Sequence, residues 1–236
     1  MSVKPNRRGE FKEVLYSGAR WALLNEFRTK AMQLMAGLEQ LHVRSVVHGS
    51  VARGDVTRKS DVDVFIAEPP SSFIVETALE KAGINLLTRF VVQATPNYAM
   101  KANIIVDKNT TVSFPLMGMR RVEREFYHFG GEVDSKQLRE KVRMAGVDKR
   151  LMFIEPTGVG HVESSVVGKE EYVAKMLGVS VNTILDRVHT LLKRDEVGRT
   201  GVFIKRELAS DETFELALKK LSEEKPAVRR RLCMGN

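Results

Sequence analysis

Apolar and polar residues follow two rhythms along this chain, one suited to helices and one to strands. From about Ser17 to Leu41, the residues Leu23, Phe27, Met32, Met35, Leu38 and Leu41 recur at steps of three to five, with lysines and arginines between them. That spacing predicts an amphipathic helix, because steps of three and four return to the same helical face. Two short apolar runs follow, 43–47 and 62–67, each of strand length. Pro69-Pro70 ends the second run, and Ser71 or Ser72 can then cap a helix to about Ala82, with Gly83 as its stop. Residues 84–94 are rich in β-branched and apolar side chains and predict a further strand. The runs 103–106 and 111–114 flank a polar stretch, 107–110, which predicts a hairpin closed by Pro115.

The next third is less regular. Residues 119–130 predict a short helix ending at Gly130-Gly131, Asp134-Ser135 opens another to about Ala145, and 150–154 reads as a strand before Pro156. This middle segment, 119–165, is either an extension of the first domain or a bridge. Beyond it, 169–177 and 181–193 are helical stretches around Gly178-Val179-Ser180. The string resembles the helix-turn-helix of winged-helix and repressor-type DNA-binding domains, with Ala174 inside the first helix, Gly178 at the turn, and Val179 and Ile184 as apolar pins. The resemblance implies that Ser180 caps the second helix and that Asn182, Thr183, Asp186 and Arg187 lie on or near its outward face. It also implies a wing built from 198–201 and 202–206, with Arg199 at its tip. An αα-hairpin used only for packing or dimerisation would carry the same marks. Residues 211–221 predict a last helix and 229–231 a basic tail, while 1–10 read as a loose basic arm.

Composition narrows the classes. An apolar fraction of 43% with 29% charged residues over 236 positions is that of a globular protein with one large or two modest domains. No apolar run approaches the ~20 residues needed to span a bilayer. The polar, basic start is unlike a secretory signal, and a cytoplasmic location is the expectation. One cysteine, Cys233, excludes a disulfide framework and a cysteine-based zinc site. The net charge of +8 favours anionic partners, nucleic acid above all, although many basic proteins bind none.

The chemistry concentrates between the first two strands, in VVHGSVARGDVTRKSDVDVFI, residues 46–66. Side chains two apart on a strand share a face, so Asp61 and Asp63 project together, about 7 Å apart at Cα, while Val62 and Val64 enter a core. Paired carboxylates repel unless a cation sits between them, and Mg²⁺ is the usual occupant. Two solvated strand-end aspartates after a tight turn are the plainer alternative. Gly49-Ser50, ten residues, then Asp61-Val62-Asp63 resembles the signature of the polymerase-β-type nucleotidyltransferase superfamily, at the spacing of its minimal members. The resemblance covers about 15–118. It implies that the Gly-Ser turn opens a helix whose N–H groups hold a nucleotide triphosphate and that the two aspartates hold metal ions.

One departure from that pattern matters. The superfamily normally adds a third carboxylate on a neighbouring strand, and the matching position in TVSFPL is Ser113, which cannot act as a base. Asp107 is the nearby acid and the candidate to complete the site, yet it stands where a turn favours Asp for local hydrogen bonding. Arg53 and Lys59 are candidates to neutralise phosphate, or else belong to a solvated loop; His48 reads as a packed histidine.

The expectations are therefore an α/β (α+β) fold, with a mixed-sheet nucleotidyltransferase domain (1–118), the segment 119–165, and a smaller, mainly helical winged-helix domain (166–236). The implied activity is Mg²⁺- or Mn²⁺-dependent transfer of an NMP from an NTP, expected to be ATP, to a nucleic-acid or protein hydroxyl. The alternative is a nucleic-acid-binding regulator that senses nucleotide without turning it over. Asn182, Thr183, Arg187 and Arg199 are its candidate nucleic-acid contacts. No membrane partner is expected, and a homo-oligomer stays open.

Overall fold

The computed structural model describes residues 11–198 and 201–234. Strand β1 (Lys12–Leu15) leads into the long helix α1 (Gly18–Glu39), as its apolar rhythm predicts. Next come β2 (Val46–His48), the single-turn α2 (Ser50–Arg53), β3 (Val62–Phe65) and α3 (Ser72–Lys81). Strands β4 (Thr88–Gln93), β5 (Lys101–Asp107) and β6 (Thr110–Pro115) form an antiparallel meander. The middle third holds α4 (Arg121–Gly130), β7 (Glu132–Asp134), α5 (Ser135–Arg139), β8 (Gly146–Val147), β9 (Met152–Thr157) and β10 (Gly160–Ser165). Helices α6 (Glu170–Leu177) and α7 (Val181–Val197) precede β11 (Ile204–Glu207), α8 (Phe214–Glu224) and α9 (Pro226–Cys233). The described residues form two compact units that interleave along the chain, one from 11–30, 47–61 and 124–198, the other from 31–46, 62–123 and 201–234.

In the second unit a mixed sheet runs in the order β11-β4-β5-β6-β3, with β3 parallel to β6 and the other pairs antiparallel. Alternation sorts its faces: Val62, Val64, Ala102, Ile104, Val112 and Phe114 are buried, while Asp63, Thr111, Ser113 and Asn103 are half-buried. Helices α3 and α8 bury Val75, Ala78, Leu79, Phe214 and Ala217 in the core of this unit, and Phe214 meets Phe114 edge-on at 5.5 Å. Of the wing expected from 198–201 and 202–206, residues 199 and 200 lie outside the described residues. Residues 204–207 form β11, antiparallel to β4 with Ile204 opposite Gln93 and Glu207 opposite Phe90. The stretch 229–231 is not a tail. It belongs to α9, and Arg231 is 4% exposed, donating to Asn97 O (3.1 Å), Gly118 O (2.6 Å) and the Glu123 carboxylate (3.1 Å).

The first unit has an antiparallel sheet in the order β1-β10-β9-β8. Its core joins Phe129, Val147, Leu151 and Phe153 to Val173, Ala174, Val179, Ile184 and Val188. Ala174, Val179 and Ile184 thus pack as the sequence predicts, and 124–165 share a core with α6 and α7. Strand β10 was absent from the sequence expectations because its interior is polar: His161, Glu163, Ser164 and Ser165 are all buried. Glu163 accepts from Arg150 Nη2 at 2.6 Å, which answers its charge. Among the described residues no helix is long and apolar enough to cross a membrane.

Candidate active site

The candidate site starts at the end of β2. Gly49 adopts φ 78° and ψ −142°, a conformation nearly closed to residues with a side chain, and its N–H donates to Gly131 O at 2.9 Å. Ser50 then opens α2, one turn closed by Arg53 N–H to Gly49 O (3.0 Å) and Gly54 N–H to Ser50 O (2.7 Å), with Gly54 left-handed at φ 100°. Because the Gly49 N–H is engaged, any anion at this turn would meet the N–H groups of Ser50 and the residues after it. The first N–H groups of a helical turn have no acceptor of their own.

The loop after the turn folds back onto it. Ser50 Oγ donates to Ser60 Oγ at 3.1 Å, and Ser60 Oγ also accepts the Thr57 N–H at 2.9 Å. The residue beside Asp61 is thereby tied to the turn. Arg53 lies beneath it, 5% exposed, forked onto both Asp55 oxygens at 3.0 Å and donating to Gly130 O (2.5 Å) and Val147 O (3.4 Å). Its charge is spent inside the unit, so Arg53 braces the turn. Lys59 is exposed on the loop. His48 packs against Tyr127, ring centroids 4.8 Å apart, as a packed histidine should.

Asp61 immediately precedes β3 and is exposed; Asp63 is the strand's second residue and half-buried. Asp63 stands in register with Thr111, and Phe65 with Ser113, which in turn faces Asn103 across β5. Ser113 therefore shares the sheet face of Asp63, one residue pair farther along, and the positions around it carry a hydroxyl or an amide. Asp107 is elsewhere. A bulge between Ile105 and Asp107 puts Asp107 in register with Thr110, a position on the face opposite Thr111, and its Oδ1 accepts the Asn109 N–H at 2.9 Å. The structure does not bring Asp107 to the face of Asp63. Among the described residues no group of three or more His, Cys, Asp or Glu side chains is placed to hold a metal. Mg²⁺ asks only one or two carboxylates of a protein and takes its remaining ligands from waters and phosphates, so the donor set of Asp61 and Asp63 suits it.

Residues 31–116 match the family described as Nucleotidyltransferase domain. The matched segment includes the glycine turn, both aspartates and the strand with Ser113. No curated protein matches the chain. A solved structure titled "Structure of Cid1 in complex with its short product ApU" aligns at 16% identity over 42% of this chain and 32% of that chain, with a TM-score of 0.29. This chain thus spans about a third of that one, and a likeness so slight adds nothing to the fold assignment. The chain has a mixed α/β fold, and its segment 31–116 is similar to that family.

The helix pair α6–α7 turns at left-handed Gly178 (φ 64°), and Ser180 caps α7 through its hydroxyl. Asn182 is exposed. Thr183 is not on the outward face expected of it: it is 1% exposed, and its hydroxyl donates to Glu125 Oε2 at 2.6 Å. The same oxygen accepts from Ser180 Oγ (2.6 Å) and Ser180 N–H (2.9 Å), so Glu125 draws this end of α7 inward. Arg187 is half-buried with its guanidinium 4.8 Å from the Phe126 ring. Arg199 lies outside the described residues. The sequence also gave no place to Arg28, which donates to Val51 O (3.1 Å) and Ala52 O (3.0 Å) behind the turn. Its signal was there: an arginine four residues after buried Leu24, on the apolar face of α1.

Proposed function

We propose that the chain transfers a nucleoside monophosphate from an NTP, ATP first among those to test, to a hydroxyl of nucleic acid or protein. The carrying observation is the strained glycine turn and the Asp61–Asp63 pair inside the nucleotidyltransferase-type segment. In this reading the N–H groups from Ser50 onward hold the triphosphate, with Lys59 an exposed cation on the same loop, and Gly49 supplies the sharp turn that opens them. Asp61 and Asp63 would hold Mg²⁺ or Mn²⁺, which neutralises charge on a transferring phosphoryl group. The Ser50–Ser60 bond keeps the loop before Asp61 against the turn, and Arg53 supports the turn from below. Helices α6 and α7 would present Asn182 and Arg187 to nucleic acid, mostly at phosphates.

A second reading has its own support. Ser113 occupies the face of Asp63, while Asp107 stands in register with Thr110, so the position matched to the third carboxylate carries a hydroxyl. General-base help is typically worth ~10²–10⁴-fold, so such a site could hold nucleotide and transfer it slowly, as a nucleic-acid-binding regulator would. Incubation with α-labelled NTPs, Mg²⁺ and RNA or protein extract separates the two. Label transferred to a macromolecule and abolished by Asp61→Ala with Asp63→Ala supports the enzyme. Salt-sensitive duplex binding that survives the double change, with no transfer, supports the regulator and refutes the enzyme.

A further inference from the structure

Away from the glycine turn and the aspartates, the first unit gathers three arginines that, among the described residues, form no ion pair. Helix α1 carries Arg20, Trp21, Leu24 and Arg28 at steps of three and four, which places them on one face. Buried Arg28 takes the carbonyls of Val51 and Ala52. Arg143 donates to Gly160 O at 2.9 Å and to Thr157 O, and its guanidinium carbon lies 4.7 Å from the Trp21 ring and 5.7 Å from that of Tyr16. Arg20 stands 4.2 Å over the other ring contact, Tyr16, whose centroid is 5.0 Å from that of Trp21. A Cβ on Gly54 would fall 2.6 Å from Arg143 Cδ, so this arginine packs directly on the loop behind α2.

Among the described residues none of these three arginines pairs with a carboxylate. Asp55, whose field reaches Tyr16, is forked to Arg53. The strain of this crowding is electrostatic. Burial, and then repulsion from Arg143, lowers Arg28 to about 10, and burial lowers Arg143 as well. Burial also pushes the Tyr16 phenol up to about 12, so it stays a neutral donor or acceptor and supplies no counter-charge. Three buried polar atoms with no hydrogen-bond partner among the described residues border the cluster: Arg20 Nε, Thr157 Oγ1 and His161 Nε2. His161 is 2% exposed, its Nδ1 is 2.7 Å from Tyr16 Oη, and its Nε2 lies 3.7 Å from Glu163, too far for a hydrogen bond.

Guanidiniums withdrawn from water without a counter-charge are costly, and their planar forks match phosphate oxygens. We propose that Arg20, Arg28 and Arg143, around Tyr16 and Trp21, form a site for a phosphate group carried by a nucleotide or a nucleic-acid strand. The site is distinct from the one at the glycine turn: Arg28 grips the carbonyl end of α2, and the N–H groups open at the other end. It goes beyond the proposed transfer reaction and does not depend on it. Half-buried Trp21 offers a ring on which a base can stack, as single strands require.

Trp21 is the chain's single tryptophan, so its emission reports on this cluster alone. The full chain is titrated in EDTA with inorganic phosphate, with ATP, and with a 5′-phosphorylated ten-nucleotide RNA. A saturable, salt-sensitive change is expected with at least one, weakened at least tenfold in Arg143→Gln and in Arg20→Gln, and kept in Asp61→Ala with Asp63→Ala. Saturation by all three ligands identifies the phosphoryl group itself, by ATP and RNA the nucleotide, and by RNA alone the strand. Among the described residues Arg20 makes no side-chain hydrogen bond, so Arg20→Gln decides the matter should Arg143→Gln fail to fold. The proposal is overturned by no saturable change with any ligand, by an unchanged Arg20→Gln, or by loss of binding in the double aspartate variant, which would put the phosphate at the glycine turn.

Discussion

Replacing Arg53 with alanine should destabilise the fold by about 3–5 kcal/mol, the usual consequence of removing one partner from a buried ion pair. The inputs are visible around the guanidinium. Arg53 and Asp55 side chains are 6% and 10% exposed, their fork is closed at both oxygens, and Nη1 reaches Gly130 O and Val147 O. Alanine leaves the Asp55 carboxylate with little water and no counter-charge, and it frees two carbonyls at the base of α2. At roughly 2–4 °C per kcal/mol for a chain of this size, the melting temperature should drop by about 10 °C. Circular dichroism melts and urea titrations read this directly. Changing both partners, Arg53→Met with Asp55→Leu, removes the charges together and should restore most of the loss, because replacing a buried pair by apolar groups is often neutral. A loss under about 1 kcal/mol for the single change, or a double variant as unstable as the single, refutes this account of the turn.

Gly49→Ala should cost about 1–3 kcal/mol through backbone strain alone, since a Cβ there meets nothing within 4 Å; a melt unchanged from the parent would show that the turn relaxes freely. Burial pushes the Glu123 carboxyl up, but hydrogen bonds from Ala99 N–H, Arg120 N–H and the Arg120 and Arg231 guanidiniums together hold it below its ordinary 4.5. Its stabilisation is therefore complete above pH 4.5 and lost as pH falls through the lowered value. Glu123→Gln should be less stable by about 3 kcal/mol at neutral pH, with the gap to the parent closing in acid; a gap that stays constant with pH counts against it. Ser113→Asp should raise label transfer by about 10²–10⁴-fold if a base is what the site lacks, and no gain in the folded variant would show that this face does not adjoin the reacting hydroxyl.

Several features were legible in the sequence because their causes lie within a few residues. The apolar steps of α1, the left-handed turn at Gly178 with Ser180 capping the next helix, the β5–β6 hairpin and the sharp Gly49-Ser50 turn all follow from local sterics and periodicity. The place of Asp61 and Asp63 at the head of β3 was equally local. What surrounds them was not. Asp107 stands in register with Thr110 because of one bulge in β5, a shift that no short motif records. Strand β11 found its partner in distant β4, and polar β10 became interior once Arg150 and Tyr16 arrived to meet Glu163 and His161.

The arginines divide the two kinds of knowledge most clearly. Sequence alone determined that this chain is strongly basic, helical and stranded in the right places, and equipped with a glycine turn ahead of paired acids. Only the tertiary structure decided which charges are spent. Arg53 reaches Gly130 across 77 positions and Arg231 reaches Glu123 across 108, while Arg20 and Arg143 meet aromatic rings and no acid among the described residues. Helix and turn propensities act between neighbours, but whether a guanidinium is paired, buried or left to attract an anion depends on surfaces that distant segments bring together.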